Sequence, residues 1–251
     1  TTAGTVSLGN PQVGGNVSLT TSTSSIDLSG AHVTGNTTVT ATGSSNVTLS
    51  TALGSRSVTL SNGPATMQAV LPGATFTATS IALDPGSRYN LVAGGVMMSN
   101  TVNNSGLILW TGSGLISLAG GATFNNLPGG TFEAQNNDAL AGNQAPAFGA
   151  FNNNGTFRKT AGTGVTSLGA TANISFNNSG VLDLQSGSVN LLSGASSGQF
   201  NIASGTALTF AGGTHVLNSG ASFTGGGSFK IKGFNAPTVF LNGNVTLSNL
   251  E

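Results

Sequence analysis

The sequence predicts an all-β fold, specifically a right-handed parallel β-helix, or β-solenoid, of about ten coils with about 22–27 residues each. A recurring phrase carries this prediction: an apolar residue, usually Phe, precedes two Asn residues and, in three copies, a small polar residue and Gly. The first Asn of each copy is Asn103, Asn125, Asn152 or Asn177. Such repetition is typical of folds whose units bury their apolar faces only by stacking. Helical periodicity is missing throughout, so we expect strands.

Residues 1–100 form the first predicted portion, a Thr/Val-rich solenoid or cap. Its short strand-like runs place a polar residue between a β-branched residue and Leu, as at 17–19 and 58–60. This period-2 alternation predicts an apolar inner face and a polar outer face. Gly-containing pairs between the runs are expected to turn the chain, because Gly accepts positive φ.

Residues 101–251 form the second predicted portion, a Phe/Asn-repeat solenoid continuous with the first. Twelve of the thirteen Phe residues lie here. The repeat that begins at Phe176 contains three strand-like runs, at 181–184, 189–192 and 199–202. Three strands and three corners make one coil, and successive coils should stack as parallel strands roughly 4.8 Å apart.

Composition excludes several classes of protein. The chain has 39 Gly, 5% charged residues, no Cys and a formal net charge of zero, yet 37% of its residues are hydrophobic. A disordered chain would combine low hydrophobicity with high net charge. Nucleic acid is not an expected partner, because no basic stripe exists to neutralise phosphates. Membrane insertion is not expected either, because no apolar run approaches the roughly 18 residues of a spanning helix.

The Asn pairs predict a structural ladder. Asn tolerates the backbone of corners, and stacked Asn side chains hydrogen-bond along a column. We therefore expect Asn125, Asn152 and Asn177 to form a buried or corner ladder between coils, in preference to a ligand site.

The charged residues predict one column of alternating sign. Glu133, Arg158 and Asp183 occupy the same position of three consecutive repeats, each 25 residues from the next. Cross-strand pairs of opposite charge stabilise neighbouring strands, so the favoured interpretation is an exposed ion-pair ladder without catalytic function. The alternative is a polysaccharide-cleaving enzyme, in which the same three residues would flank a sugar bond.

The repeated Phe-Asn-Asn phrases and the Ser-Gly-Ala-Ser runs at 193–196 and 219–222 resemble bacterial extracellular β-strand-repeat proteins, namely autotransporter passengers and filamentous-haemagglutinin-like adhesins. The resemblance covers about residues 101–247. It implies a parallel β-helix that is secreted or displayed on the bacterial cell surface, where it serves in adhesion, in biofilm or as a stalk.

Neither a cofactor nor a metal site is predicted. His32 and His215 are too far apart in sequence to form a metal-binding motif, and both are interpreted as polar residues of strand edges or corners. No Asp lies in a Gly-rich calcium loop.

The predicted function is structural and adhesive: an extracellular β-solenoid that acts as an adhesin stalk or as a subunit of a self-assembling fibre. The predicted partners are other copies of the chain, stacked end to end, and glycans or host cell surfaces. Carbohydrate binding or cleavage on the same scaffold is the alternative. Ice binding is a remote alternative, because Thr-x-Thr runs such as 38–40 and 75–79 do not recur in every repeat.

Overall fold

The computed structural model confirms the all-β parallel solenoid. It describes residues 101–250 except 112–114, 120, 144–148, 170–173 and 248–249, and it describes only the strands within residues 1–100. Every pair of strands in this described part is parallel, and none of its residues is helical. Apolar strands separated by tight, Gly-rich corners favour this arrangement, since each strand can pair only with strands of neighbouring coils.

The strands within the first hundred residues are β1 (Thr5–Ser7), β2 (Gln12–Val13), β3 (Val17–Thr21), β4 (Ser25–Leu28), β5 (His32–Val33), β6 (Asn36–Ala41), β7 (Asn46–Leu49), β8 (Ser57–Ser61), β9 (Thr66–Ala69), β10 (Thr75–Phe76), β11 (Ser80–Leu83), β12 (Arg88–Leu91) and β13 (Val96–Met98). The later strands are β14 (Thr101–Asn104), β15 (Leu107–Trp110), β16 (Ile116–Ala119), β17 (Thr123–Asn126), β18 (Thr131–Ala134), β19 (Ala139–Asn143), β20 (Gly149–Asn153), β21 (Thr156–Lys159), β22 (Val165–Leu168), β23 (Ile174–Asn178), β24 (Val181–Leu184), β25 (Ser188–Leu191), β26 (Gly194–Ser196), β27 (Gln199–Ile202), β28 (Ala207–Asn218), β29 (Ser222–Thr224) and β30 (Ser228–Asn242).

From β14 onward, each coil contributes one strand to each of three faces. The first face contains β15, β18, β21, β24, β27 and β29. The second contains β16, β19, β22, β25 and the first halves of β28 and β30. The third contains β14, β17, β20, β23, β26 and the second halves of β28 and β30. From β14 to β25, strands therefore pair with the third strand along the chain, whereas β28 and β30 each extend across two faces.

The core lies between the three faces and is largely aromatic. Strand residues alternate between buried and half-buried positions, as a pleated strand requires. On the third face Phe124 and Phe151 stack with ring centroids 4.6 Å apart. On the first face Phe132 and Phe157 stack at 5.6 Å, and edge-to-face contacts such as Phe124–Phe132 join the two columns.

The number of coils differs from the prediction. About five turns, from β15 to β29, are described, against the ten predicted. The difference arises because the segments that connect the strands of residues 1–100 lie outside the described residues. Repeat length also varies more than predicted: Leu182 pairs with Phe200, only 18 residues further on. Strands pair across residue 100, as β11 does with β14 and β12 with β15.

Candidate functional site

The first Asn of each phrase forms a half-buried column on the outside of the third face. Asn177 Nδ2 donates to Asn152 Oδ1 (2.9 Å), Asn152 to Asn125 (2.9 Å) and Asn125 to Asn103 (2.8 Å). The structure thus places Asn125, Asn152 and Asn177 in one hydrogen-bonded ladder. Its direction is fixed at one end, because the backbone N–H of Ala195 donates to Asn177 Oδ1 (3.0 Å).

The second Asn of each phrase forms a fully buried column, which the sequence analysis did not separate from the first. Asn104 Nδ2 donates to Asn126 Oδ1 (2.8 Å), Asn126 to Asn153 (2.7 Å) and Asn153 to Asn178 (2.8 Å). This column donates towards later coils, whereas the outer column donates towards earlier coils. The alternation of the strand could have predicted this column. Residues two apart in a strand point to the same face, and the second Asn lies two residues after an inward Phe.

Each inner Asn also closes the corner between the third and first faces. The same Nδ2 groups donate to main-chain carbonyls at the start of the first-face strand in the following coil: Asn126 to Thr156 O (2.9 Å) and Asn153 to Val181 O (2.8 Å). Both hydrogens of each of these amides are therefore used. The buried amides satisfy carbonyl groups that would otherwise lose water without compensation.

The Gly of the phrase is required by close contact between coils. A Cβ atom on Gly180 would lie 2.1 Å from Gly155 O, and one on Gly155 would lie 2.3 Å from Gly130 O. These glycines stack directly above one another at the corner. The complete phrase therefore encodes a core aromatic, an outer amide ladder, an inner amide ladder and a corner too narrow for a side chain.

Glu133, Arg158 and Asp183 share one outward column of the first face, in the register expected from their spacing. Arg158 binds Glu133 through two nitrogens, with Nε 2.8 Å and a terminal nitrogen 2.7 Å from Oε2. Glu133 is only 7% exposed and also accepts hydrogen bonds from Gln135 Nε2 and Thr160 Oγ1. Burial acts to raise the pKa of Glu133, but these hydrogen bonds and the Arg158 charge outweigh it and hold the pKa below its usual value.

The predicted ladder of exposed ion pairs is wrong in two respects. Glu133 is buried beneath its partners, and among the described residues Arg158 forms its ion pair with Glu133 alone. Asp183 instead accepts a hydrogen bond from Gln185 Nε2 (2.6 Å) on its own strand. Arg158 has one guanidinium group, and its two close contacts with a buried carboxylate fix it on that side.

Lys159 is fully buried, and the sequence analysis did not single it out. Its Nζ donates to Asn136 O, to Thr166 Oγ1 (3.0 Å) and to Asn137 Oδ1 (3.3 Å). Burial lowers the pKa of Lys159, and the negative charge of Asp138 partly opposes this change. The strand sequence signalled the position, because Phe157 faces inward and Lys159 is two residues later.

His215 is buried inside the third face, so its interpretation as a residue of a strand edge or corner is wrong. It pairs with Gly194 of the previous coil, where a Cβ atom would overlap the backbone of Phe176. The ring packs on Phe210 with centroids 4.5 Å apart, and Nε2 shares a 2.9 Å hydrogen bond with Ser196 Oγ. Nδ1 has no partner. Desolvation lowers the pKa of His215 to about 4.

A shallow groove of about 660 Å³ crosses the outside of the second face near its C-terminal end. Its lining includes Val165, Ser188, Asn190, Thr209, Lys230 and Lys232. No carboxylate lies among the lining residues, so the groove is a locally basic region on a chain of zero net charge. Its chemistry suits an elongated anionic group.

Metal ligands do not cluster within the described part of the chain, where no group of three His, Cys, Asp or Glu residues lies close enough to hold an ion. That part also contains no helix of the length and apolar character needed to span a bilayer. The side chain of His32 lies outside the described residues.

The fold and these contacts define a class: a parallel β-solenoid whose coils are joined by paired amide ladders and a stacked aromatic core. Searches of family models, curated proteins and solved structures find no match to the chain. The resemblance to autotransporter passengers and haemagglutinin-like adhesins therefore stays a prediction.

Proposed function

We propose that this chain is a non-catalytic structural segment of an extracellular β-solenoid, which acts as an adhesin stalk or as a subunit of an end-to-end fibre. The observation that carries the proposal is the exposed apolar edge along β30. Ile231 and Leu241 point along inward columns but are 40% and 57% exposed, whereas their counterparts one coil earlier, Phe210 and Leu217, are buried. Another coil in the same register would cover them.

The main chain at this end supports stacking as well. Strand β30 pairs with β28 on one side, and on its other side the described part of the chain supplies a single bridge, from Phe229 to Leu250. A long strand edge with apolar side chains is a template for pairing with another chain. Head-to-tail contacts of this kind produce open filaments if they do not close into rings.

The charged column supports a role without catalysis. Glu133 and Asp183 are two coils apart, roughly 9.6 Å along the axis, which exceeds the roughly 5 Å separation of a retaining glycosidase pair. An inverting enzyme would leave space for water between its carboxylates, but here Arg158 lies between them and binds Glu133. Trp110, a residue type that often stacks on sugars, is buried in the core.

Electron microscopy and light scattering across a concentration series test the assembly. We expect wild-type protein to form filaments one solenoid wide, and Leu241→Lys to abolish them by placing a charge in the covered core. Phe240→Lys is the matched control, because Phe240 is equally exposed at 56% but faces outward. Monomeric rods at all concentrations would exclude the fibre role and leave the stalk.

The basic groove favours a second candidate function, binding of an anionic polysaccharide. Two lysines beside a floor of small residues match the charge and length of a uronate chain better than a neutral glycan. A glycan array should then show binding that is lost in Lys232→Ser. An assay for released reducing ends, with Glu133→Ala as control, tests cleavage; sugar release that depends on Glu133 would overturn the non-catalytic proposal.

A further inference from the structure

The buried Lys159 and Asn137 bring an amine against a side-chain amide from the neighbouring coil. Lys159 lies at the end of β21, and Asn137 lies in the corner that follows β18, one coil earlier. The Nζ atom is 3.3 Å from Asn137 Oδ1, and the whole Lys159 side chain is withdrawn from water. An amine held this close to a carboxamide has a high effective concentration for attack on it.

The carboxamide of Asn137 is also polarised. The backbone N–H of Gly164 donates to Asn137 Oδ1 (2.9 Å), the oxygen that would gain negative charge during attack. A main-chain donor at this oxygen stabilises the tetrahedral intermediate of acyl transfer. The remaining contacts of Nζ, with Asn136 O and Thr166 Oγ1, hold the amine in place.

We propose that Lys159 and Asn137 form an intramolecular isopeptide bond that joins adjacent coils covalently. The neutral amine of Lys159 attacks Cγ of Asn137, the Nζ–Cγ bond forms and the Cγ–Nδ2 bond breaks. One amine proton moves to the departing nitrogen, which leaves as ammonia. No oxidant, reductant or further reactant is needed, because amine and amide give a new amide and ammonia.

The site favours the nucleophilic form of the amine. Burial favours the uncharged amine, which is the nucleophile, by lowering the pKa of Lys159. The negative charge of Asp138, the residue after Asn137, partly opposes this shift. Asn137 is exposed on its other side, which gives ammonia a path to solvent.

The bond would fasten the corner at the site where a buried cation otherwise depends on hydrogen bonds alone. Arg158, the preceding residue, already binds the same pair of coils on the outer surface through Glu133. One strand end would then be joined to the previous coil by an ion pair outside and a covalent bond inside. This inference stands whether or not the solenoid assembles into fibres.

Intact-mass spectrometry of the denatured protein tests the proposal, with an expected deficit of one ammonia. Trypsin should release a branched species in which residues 89–158 and 159–230 remain joined, because acylated Lys159 is not cleaved. Succinimide formation at Asn-Gly sequences such as 154–155 also removes ammonia, but it joins no two peptides.

Three variants complete the test. Asn137→Ala should restore the full expected mass and separate the two peptides, and Lys159→Met should do the same. Asn137→Asp should restore the bond with loss of water in place of ammonia. Wild-type protein of full mass, or joined peptides that persist in Asn137→Ala, would overturn the proposal.

Discussion

Acid should destabilise the coil that contains His215, because the folded state holds this imidazole neutral. Its surroundings are Phe210, the Ser196 hydroxyl and the backbone of Gly194, and no charged group contributes to its environment. Protonation would place an unpaired positive charge in this site. Unfolding exposes the ring to water, where it binds a proton at its ordinary pKa of about 6.5.

The size of the effect follows from the two pKa values. The folded value is about 4 and the unfolded value about 6.5, so between these limits the unfolded state binds more protons. Stability is therefore complete above the unfolded value and is lost as the pH falls towards the folded one. Between about pH 7.5 and pH 5 the loss is about 2 kcal/mol, and it reaches about 3 kcal/mol at pH 4.

Two measurements check this prediction. Because the chain has only two His residues, NMR titration of the imidazole protons can give the folded pKa of His215 directly. Urea unfolding at several pH values gives the loss of stability, and His215→Phe is the control that keeps a ring in the column without a titrating group. We expect the pH dependence above pH 5 to be much smaller in this variant.

If His215 titrates near 6.5 while the protein stays folded, then the ring is hydrated and the buried site does not exist as described. Equal pH dependence of wild type and His215→Phe would refute it independently, since another group would then be responsible.

Three further predictions concern the contacts between coils. Asn153→Ala should lower the free energy of unfolding by about 3 kcal/mol, because it leaves buried polar groups without hydrogen-bond partners. Asn152→Ala, in the half-buried column, should lower it by about 1 kcal/mol. Urea unfolding of the two variants measures the difference. Gly180→Ala should cost about 3 kcal/mol or prevent folding, since its Cβ would overlap a carbonyl oxygen, and soluble yield with circular dichroism measures this. Glu133→Gln should lower the free energy of unfolding by about 1 kcal/mol at pH 7, because it removes the charge that binds Arg158. The difference from wild type should shrink as the pH falls below the ordinary Glu pKa, because the wild-type carboxylate is then protonated. Paired urea titrations at pH 7 and pH 3.5 test this.

Much of the fold could be predicted from the sequence because the same phrase recurs once in each central coil. Asn125, Asn152 and Asn177 follow one another at intervals of one coil, so equal position in the repeat became equal position in the stack. The same reasoning placed Glu133, Arg158 and Asp183 in one column. Position in the repeat could not predict which carboxylate Arg158 would bind. That choice depends on side-chain rotamers and on Gln185, which donates a hydrogen bond to Asp183.

The polar side chains that face inward were the main feature that the sequence did not predict. Strand alternation marks Asn126, Lys159 and His215 as inward, but polar residues were expected to face outward. Each is accommodated by a local feature that a repeat phrase does not show: a carbonyl at the corner for Asn126, a set of oxygen acceptors for Lys159, and the Phe210 ring with the Ser196 hydroxyl for His215. The sequence also did not predict the short repeat from Leu182 to Phe200, in which the connections between strands have fewer residues than in the neighbouring repeats.

The two Asn ladders both end within the described coils, and the positions where they end bear on the stability of the coils beyond. The outer column ends where Asn177 accepts the Ala195 N–H, and the inner column gives way to Ser196 and then to Leu217. Beyond that point the third face lacks the buried amide bonds of earlier coils and relies on apolar packing. Solenoid stability is a sum of terms between neighbouring coils, so the last coils, which also contain His215, should open first. The same coils present Leu241 at the open end, and a stacked partner would therefore stabilise the part of the rod that needs it most.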